Sequence, residues 1–286
     1  MTSNTLHKPP LHLEEFNGGR ANHYANQTLV MGERDTVLID APFTRSQAHR
    51  IVATILDTGL NLTHIYVTHS HPDHYFSAPV LLEAFPHVEL IAVPKVCLNI
   101  AISIPGRIKA WSGMLGVNGP INPIVPKPYI ESFIELEGQQ LDILGPMAGD
   151  HPDSTTIYIP VIDAIITGDI VLNGTHLFLT HGKEDYRQRW LESLDYLISL
   201  NPITVIAGHC TLGRDHDQQA LQYSRDYLLA FEEAVAKANT SDEVVATMKN
   251  RFPDSTELLE GITITFSARV ALGEMEPVPE TLGIDD

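Results

Sequence analysis

The chain has 286 residues and is 43% hydrophobic, which suffices for a sizeable core in one large domain or two modest ones. A formal net charge of -18, without any run of Lys and Arg, opposes binding to nucleic acid or to an anionic membrane surface. Two cysteines give no disulfide framework, and no stretch has the apolar length of a secretory signal or a membrane span, so we expect a cytoplasmic protein.

Strand and helix patterns alternate in the first part of the chain. Two β-rich runs, at residues 28–31 and 36–40, flank a short turn and predict a hairpin that ends at an acidic residue. One apolar helical face spans residues 44–58, and Gly59 suits the end of that helix. Strand, helix and strand patterns follow at 64–68, 78–85 and 88–93. This alternation predicts a layered α/β fold.

The segment at about 95–130 differs from its surroundings, because it is apolar and rich in Gly and Pro. We interpret it as an insertion. Its apolar side chains are Ile100, Ile102, Ile104, Ile108, Trp111, Met114, Leu115 and Val117. They could form a lid that favours a hydrophobic or amphipathic substrate, or they could pack on a neighbouring subunit or on the rest of the fold. The sequence leaves both interpretations open.

Strand patterns resume at 141–144, 156–159 and 164–167, and an amphipathic helix with Trp190 on its apolar face follows. The run TVIAGH indicates another buried strand. Beyond Asp215 the pattern is helical, and Thr240 and Glu243 have the spacing of a capping box. We therefore predict a main domain over residues 1–215 and a helical extension over 216–286 that packs on it and ends in a loose acidic tail.

The stretch THSHPDHYF, residues 68–76, places three histidines and one aspartate directly after a predicted strand. His69 and His71 are spaced by one residue, so they can hold the same ion, while Asp73 and His74 can face a second ion. Imidazole and carboxylate groups are ligands that suit a cation such as zinc. The loop is therefore a candidate metal site.

Three further strand ends carry the same chemistry. His151 lies in GDHPDST, Asp169 in IITGDIV and His209 in VIAGHC. Together with the loop at 68–76, these residues give the order H-x-H-x-D-H, then His, then Asp, then His. In this order the sequence resembles the metallo-β-lactamase superfamily, and the resemblance covers about residues 20–212.

The resemblance implies a four-layer αββα sandwich in which the loops after the strands bring the ligands together at one edge. It also implies two metal ions, as two Zn2+ with iron or manganese as alternatives. The first metal would be bound by His69, His71 and His151. The second would be bound by Asp73, His74 and His209, and Asp169 would bridge the two ions.

Departures from known subgroups narrow the function that the resemblance implies. Asp169 stands where some zinc β-lactamases use a cysteine, and position 71 is His where flavo-diiron relatives have Glu. Cys210 follows the last histidine, whereas glyoxalase II usually has Glu there. A lactamase proper therefore does not fit, and the sequence resembles the group of hydrolases that includes lactonases and thioesterases.

We expect a metal-dependent hydrolase that cleaves an ester, lactone or thioester bond of a small, largely apolar molecule. A hydroxide held between the two zinc ions would attack the carbonyl carbon, and one metal would polarise the carbonyl oxygen. Asp73 is the candidate catalytic residue, because a carboxylate beside this hydroxide can accept a proton and pass it on.

Several alternatives stay open. One is an enzyme similar to the persulfide dioxygenases, which use a single iron bound by two His and one Asp. Another is a hydrolase of amide or β-lactam bonds, and a third is a binding protein without turnover. The H-x-H pair also occurs in amidohydrolase barrels, although these commonly lack the D-H that follows it here.

Six residues are candidates for contact with a small-molecule substrate: Tyr24, Tyr75, Trp111, Met114, Asn173 and His176. The tyrosines and the asparagine could donate hydrogen bonds to a developing oxyanion. The tryptophan and the methionine could contribute apolar surface from the inserted segment, and the histidine follows soon after Asp169. A homo-oligomer is also compatible with the apolar surface of the segment at 95–130 or of the helix at 218–238.

Overall fold

The structure is a computed structural model that describes residues 11–182, 184–259 and 261–277. In its first sheet, six strands follow one another in chain order. They are β1 (His12–Asn17), β2 (Asn26–Met31), β3 (Asp35–Ile39), β4 (Asn61–Tyr66), β5 (Glu89–Ala92) and β6 (Lys127–Pro128). β1 to β3 pair antiparallel, whereas β3 to β6 run parallel. The parallel strands therefore deliver the loops that follow them to one edge of the sheet.

The second sheet contains β7 (Phe133–Leu136), β8 (Gln139–Met147), β9 (Ser154–Ile159), β10 (Ala164–Ile166) and β12 (Thr204–Ile206). β7 to β10 are antiparallel neighbours, and β12 pairs parallel with β10. Two short strands, β11 (Leu172–Asn173) and β13 (His209–Cys210), pair with each other outside both sheets. Because β10 and β12 are parallel neighbours, the loops that follow them leave the sheet side by side.

The helices of the described residues cover the outer faces of the sheets. On the first sheet lie α1 (Arg45–Thr58), α2 (Ala78–Ala84) and α3 (Pro94–Leu115). On the side of the second sheet lie α4 (Glu184–Ser199), α5 (Gln218–Lys237), α6 (Ser241–Arg251) and α7 (Thr263–Ala271). In the described part of the chain, none of the helices combines the length and the apolar composition that crossing a membrane requires.

Alternating side chains on the strands fill the space between these layers. In β3, Leu38 packs with the helices on the first sheet, whereas its neighbours Val37 and Ile39 face the second sheet. In β10, Ile165 packs with the helices on the other side and Ile166 faces the first sheet. The order helix, sheet, sheet, helix confirms the αββα sandwich that the sequence predicted.

Local signals set the ends of several helices as predicted. Thr44 accepts a hydrogen bond from the backbone N–H of Gln47 at the start of α1, and Gly59 ends this helix with a left-handed φ of 70°. Thr240 caps α6 by accepting a hydrogen bond from the N–H of Glu243. Most of the predicted acidic tail lies outside the described residues.

Much of the segment at 95–130 is helical, which the sequence pattern did not predict. α3 spans 22 residues, has Pro94 in its first turn and contains Pro105 in its interior. Its buried residues, among them Val96 and Ile100, pack on the first sheet. The Gly and Pro residues hid this helix, because a proline inside a helix removes a backbone hydrogen bond and usually indicates a break.

Candidate metal centre

The candidate site lies where loops from both sheets meet. The loop after β4 contributes His69, His71, Asp73 and His74. The second sheet contributes Asp169 after β10 and His209 after β12. Thr155 of β9 joins the two halves, because its N–H and its hydroxyl both donate to the carbonyl oxygen of Thr68, at 3.0 and 2.7 Å. The loops are thus held against each other by hydrogen bonds as well as by the core between the sheets.

One group of buried side chains that could hold a metal ion contains His69, His71, Asp150 and Asp169, whose ligand atoms lie within 4.8 Å of one another. His71 Nδ1 is 2.9 Å from Asp150 Oδ2. His69 Nε2 is 3.4 Å from Asp169 Oδ2 and 3.8 Å from Asp150 Oδ1. Two imidazoles and two carboxylates therefore converge on one point.

A second group contains Asp73, His74 and His209, again with their ligand atoms within 4.8 Å of one another. Asp169 reaches this group too, because its Oδ2 is 2.9 Å from His209 Nε2 and its Oδ1 is 3.2 Å from His74 Nε2. Asp169 therefore stands between the two groups, and its role as a bridging ligand stays a prediction.

Unsatisfied polar atoms show that the site suits a cation. The buried atoms His69 Nε2, His74 Nε2, Asp150 Oδ1 and Asp169 Oδ1 have no hydrogen-bond partner among the described residues. Buried polar atoms are normally hydrogen-bonded, so four such atoms in one place need an explanation. A bound divalent cation would supply the missing partner, and nitrogen and oxygen donors of this kind suit such an ion.

The electrostatics of the first group lead to the same conclusion. Burial raises the pKa of the Asp150 carboxyl well above its ordinary value, and the negative charge of Asp169 raises it further. Burial lowers the pKa of His71 to about 3, so its ring is neutral at neutral pH, which is the form that binds a cation. A positive ion would allow the Asp150 carboxyl to be ionised beside Asp169.

His151, which the resemblance placed in the first group, is not among the four side chains whose ligand atoms converge there, although its ring centroid lies 5.5 Å from that of His71. Its Nε2 is 3.0 Å from Ser70 Oγ, and its Nδ1 accepts a hydrogen bond from the backbone N–H of Asp153 at 3.1 Å. The neighbouring Asp150 takes the expected place beside His69 and His71. Asp150 is therefore a further candidate ligand that the sequence did not indicate, and the assignment of His151 as a ligand stays a prediction.

Asp40, which the sequence analysis did not single out, orients one of the candidate ligands. Its Oδ2 accepts a hydrogen bond from His74 Nδ1 at 2.7 Å, while its carboxylate also accepts from the N–H and the hydroxyl of Thr68, both at 2.8 Å. Because the Nδ1 atom of His74 donates its hydrogen bond to Asp40, the Nε2 atom of the same ring faces the site. The acidic end of the predicted hairpin was the only signal for this role.

We expect the Asp40→Asn variant to bind metal about 10- to 100-fold more weakly, because His74 loses the anionic acceptor that fixes its ring. Competition with a chelator of known affinity measures the change. Asp35→Asn is the control, since Asp35 lies in the same strand β3 and its carboxylate bonds only to the exposed Asn61 amide among the hydrogen bonds of the described residues. Equal metal affinity of the Asp40 and Asp35 variants would contradict the orienting role.

Gly208 makes room for the Asp169 carboxylate. A Cβ atom at this position would lie 2.0 Å from Asp169 Oδ1 and 2.5 Å from the carbonyl carbon of Gly168. We expect Gly208→Ala to displace Asp169, to lower metal content and to cost about 1–3 kcal/mol of stability. Metal analysis and thermal unfolding measure both effects. Gly113→Ala is the control, because a Cβ there meets nothing within 4 Å; similar losses in both variants would refute the specific role of Gly208.

A cavity of about 250 Å3 opens directly over the two groups. Its polar lining includes His71, Asp73, Asp150, Asp169 and His209, together with His23 and Arg107. Its apolar lining includes Trp111, Phe178, Leu258, Leu259, Ile262 and Phe266. Helix α3 and the segment around the start of α7 therefore form apolar walls, and the candidate ligands form the polar floor.

Of the six predicted substrate contacts, Trp111 lines this cavity, where its ring centroid lies 5.4 Å from that of His23. Met114 of α3 is 60% exposed and is not part of the lining. The sequence identified the segment that forms the wall but not the side of α3 that faces the cavity. Trp111 of this segment thus forms part of the cavity wall, and the interpretation of the segment as a substrate lid stays a prediction.

The other four predicted contacts lie away from the cavity lining. Tyr75 is fully buried in the core beneath the first sheet, and His176 Nδ1 hydrogen-bonds to the hydroxyl of Tyr227 at 2.8 Å. Asn173 donates to the carbonyl oxygen of Asp215, and Tyr24 lies in the turn before β2. These four residues were predicted because they lie close to the motifs along the chain. Closeness in sequence does not determine the direction in which a side chain points.

Comparisons with known proteins agree with this geometry. The family described as the Metallo-beta-lactamase superfamily matches residues 21–209. A metallo-beta-lactamase from Pontibacter korlensis shares the fold with a TM-score of 0.51 and 16% identity, covering 80% of this chain and 96% of that one. The DIM-1 metallo-beta-lactamase has a TM-score of 0.54 and 17% identity, covering 78% and 98%. This chain belongs to the metallo-beta-lactamase superfamily, and it has a buried cluster of His and Asp side chains that could hold metal ions.

One curated relative is similar over a short stretch. An atrochrysone carboxyl ACP thioesterase of Pseudocercospora fijiensis is 31% identical over 75 residues. The match covers 26% of this chain and 22% of the relative, so this chain matches about a fifth of the length of that protein.

Proposed function

We propose that the protein is a dinuclear zinc-dependent hydrolase that cleaves an ester, lactone or thioester bond of a small, largely apolar molecule. The observation that carries this proposal is the position of Asp169, which contacts both groups of candidate ligands at the floor of a cavity with apolar walls. The similarity to a thioesterase supports the choice of bond.

Two divalent ions, when bound, would supply an activated water and a positive charge for the oxygen of the substrate carbonyl. The residues of the chain would position them: His69, His71, Asp150 and Asp169 in one group, and Asp73, His74 and His209 in the other, with Asp169 shared. The apolar walls would hold the substrate body and exclude bulk water from the floor of the cavity.

We assign the acceptance of a proton in this reaction to Asp73. It lines the cavity, and its Oδ2 lies 3.6 Å from His23 Nδ1 and 3.6 Å from His209 Nε2. Burial acts to raise the pKa of Asp73, but its contact with His23 and the charge of His74 hold it well below its ordinary value. The carboxylate is therefore ionised at neutral pH, which is the form that can accept a proton.

The test is a substrate panel run on purified protein whose metal content has been counted. Aryl esters, lactones, thioesters and β-lactams are compared by kcat/KM, before and after removal of metal by a chelator and its replacement by zinc. We expect two zinc ions per chain, and turnover of esters, lactones or thioesters that is lost with the metal and restored by zinc.

Three other results would contradict the proposal. One iron per chain with oxygen consumption would favour a dioxygenase like those that act on persulfides. Preferred cleavage of β-lactams or amides would show that the enzyme acts on amide bonds rather than on ester, lactone or thioester bonds. Full metal loading without any turnover would favour a binding protein.

A further inference from the structure

Arg107 is a buried cation in the wall of the cavity. It lies on α3, is 5% exposed and belongs to the cavity lining. Its Nε and Nη2 atoms are buried and have no hydrogen-bond partner among the described residues. A guanidinium is always charged in a protein and presents several donors in one plane. Arg107 therefore borders the cavity with two donors that no described residue accepts.

Another buried arginine shows how this chain normally satisfies such a group. Arg187, which is 2% exposed, donates from Nη2 to Glu232 Oε2 at 3.1 Å and from Nε to the other oxygen of the same carboxylate. It also donates to the carbonyl oxygen of Gly182. A buried charge is costly unless it is paired in this way. Arg107 has no equivalent of Glu232 in the described part of the chain.

The carboxylates on the cavity floor are directed at histidines. Asp150 contacts His71 at 2.9 Å, Asp169 contacts His209 at 2.9 Å, and Asp73 contacts His23. If these carboxylates bind metal ions, the positive charge of the ions balances their negative charge. The partner that suits the planar fork of Arg107 is then the carboxylate of a ligand, which can accept two parallel hydrogen bonds.

We propose that Arg107 binds a carboxylate of the substrate, so that the substrate is an apolar molecule with an anionic group separate from the bond that is cleaved. The identity of the cleaved bond rests on the proposed function, whereas the recognition of the anionic group can be tested by binding measurements alone. Trp111 lies one helical turn after Arg107 on the same face of α3, and Phe266 of α7 lines the same cavity. The apolar body of the molecule would lie between these rings.

The experiment measures binding by calorimetry to metal-loaded protein, with naphthoate and the uncharged naphthalenemethanol as a matched pair. Naphthalenesulfonate is the third probe, because it carries the charge but is a poorer metal ligand than a carboxylate. We expect both anions to bind about tenfold or more tightly than the alcohol to the natural protein. The Arg107→Met variant should lose this preference and bind the alcohol as before, and Arg107→Lys should keep part of it.

Unchanged binding of both anions to Arg107→Met would overturn the proposal, since the metal centre alone would then hold them. Equal affinity of the natural protein for all three probes would overturn it as well. If thioesters are cleaved, a carboxylated aryl thioester should show the same preference in kcat/KM. If the natural protein turns over none of the substrates but still prefers the anionic probes, the proposed reaction is refuted and the proposed anion site is retained.

Thermal unfolding separates this role from a structural one. Arg107→Met removes an unpaired buried charge, so we expect it to leave Tm unchanged or to raise it. Arg187→Met removes one partner of a buried ion pair, so it should lower Tm clearly. A loss of Tm in Arg107→Met as large as that in Arg187→Met would show that Arg107 stabilises the fold and would overturn the ligand-binding role.

Discussion

The Asp150→Ala variant is expected to lose about a hundredfold or more in metal affinity, and its hydrolytic activity should fall with the metal. Asp150 Oδ2 lies 2.9 Å from His71 Nδ1, within the group that could hold an ion. Loss of a residue that only supports a ligand costs about 10- to 100-fold in affinity, so loss of a ligand should cost more. Metal analysis of the purified variant and competition with a chelator measure the effect.

His151→Ala is the matched control for this prediction, because His151 is the next residue and lies outside the group. It should keep its metal. Because burial and Asp169 disfavour the ionised form of Asp150, Asp150→Ala should not lower the Tm of the metal-free protein. Loss of metal from the His151 variant, with full retention in the Asp150 variant, would support His151 as the ligand, as the sequence order predicts.

The second large effect is expected at Asp169, where replacement by Ala should empty both metal positions. Its Oδ2 lies 2.9 Å from His209 Nε2 and 3.4 Å from His69 Nε2, and its Oδ1 lies 3.2 Å from His74 Nε2. Asp169→Asn keeps the shape but removes the charge, so it should hold one ion at most. Turnover should drop by on the order of 100-fold or more in both variants, because several kcal/mol of charge stabilisation are lost.

Asp163→Asn is the control for the Asp169 variants, because Asp163 is exposed and directly precedes the same strand, β10. Metal content and kcat are measured for all three proteins. Two metal ions per chain with undiminished kcat in Asp169→Ala would show that Asp169 does not connect the two groups.

The fold could be predicted largely from the sequence, because apolar periodicity reports which face of each element is buried. The alternation of Val37, Leu38 and Ile39 between two cores is the direct expression of a strand buried on both sides. Thr44 and Gly59 fixed the ends of α1 through hydrogen bonding and a left-handed φ. Helix α3 escaped prediction because Pro105 interrupts the backbone hydrogen bonds without ending the helix.

The candidate site was predictable to the level of the loops and less so to the level of side chains. The spacing of His69 and His71 is local, so the sequence contains it. The choice between Asp150 and His151 depends on how the loop before β9 turns, and this is set by hydrogen bonds of His151 to Ser70 and to the backbone of Asp153. Arg107 carries no motif, and only the three-dimensional structure shows that its guanidinium is buried beside the site.

The two apolar walls of the cavity differ in whether the family match covers them. Helix α3 lies within residues 21–209, which the family matches, whereas Ile262 and Phe266 come from the region around the start of α7, beyond that match. Neither wall carries a residue of the two metal-ligand groups. In the proposed enzyme, selectivity and reactivity would therefore reside in separable parts of the molecule. Exchanging the α7 region for that of a homologue would retune which molecules are accepted while the chemical step is inherited unchanged.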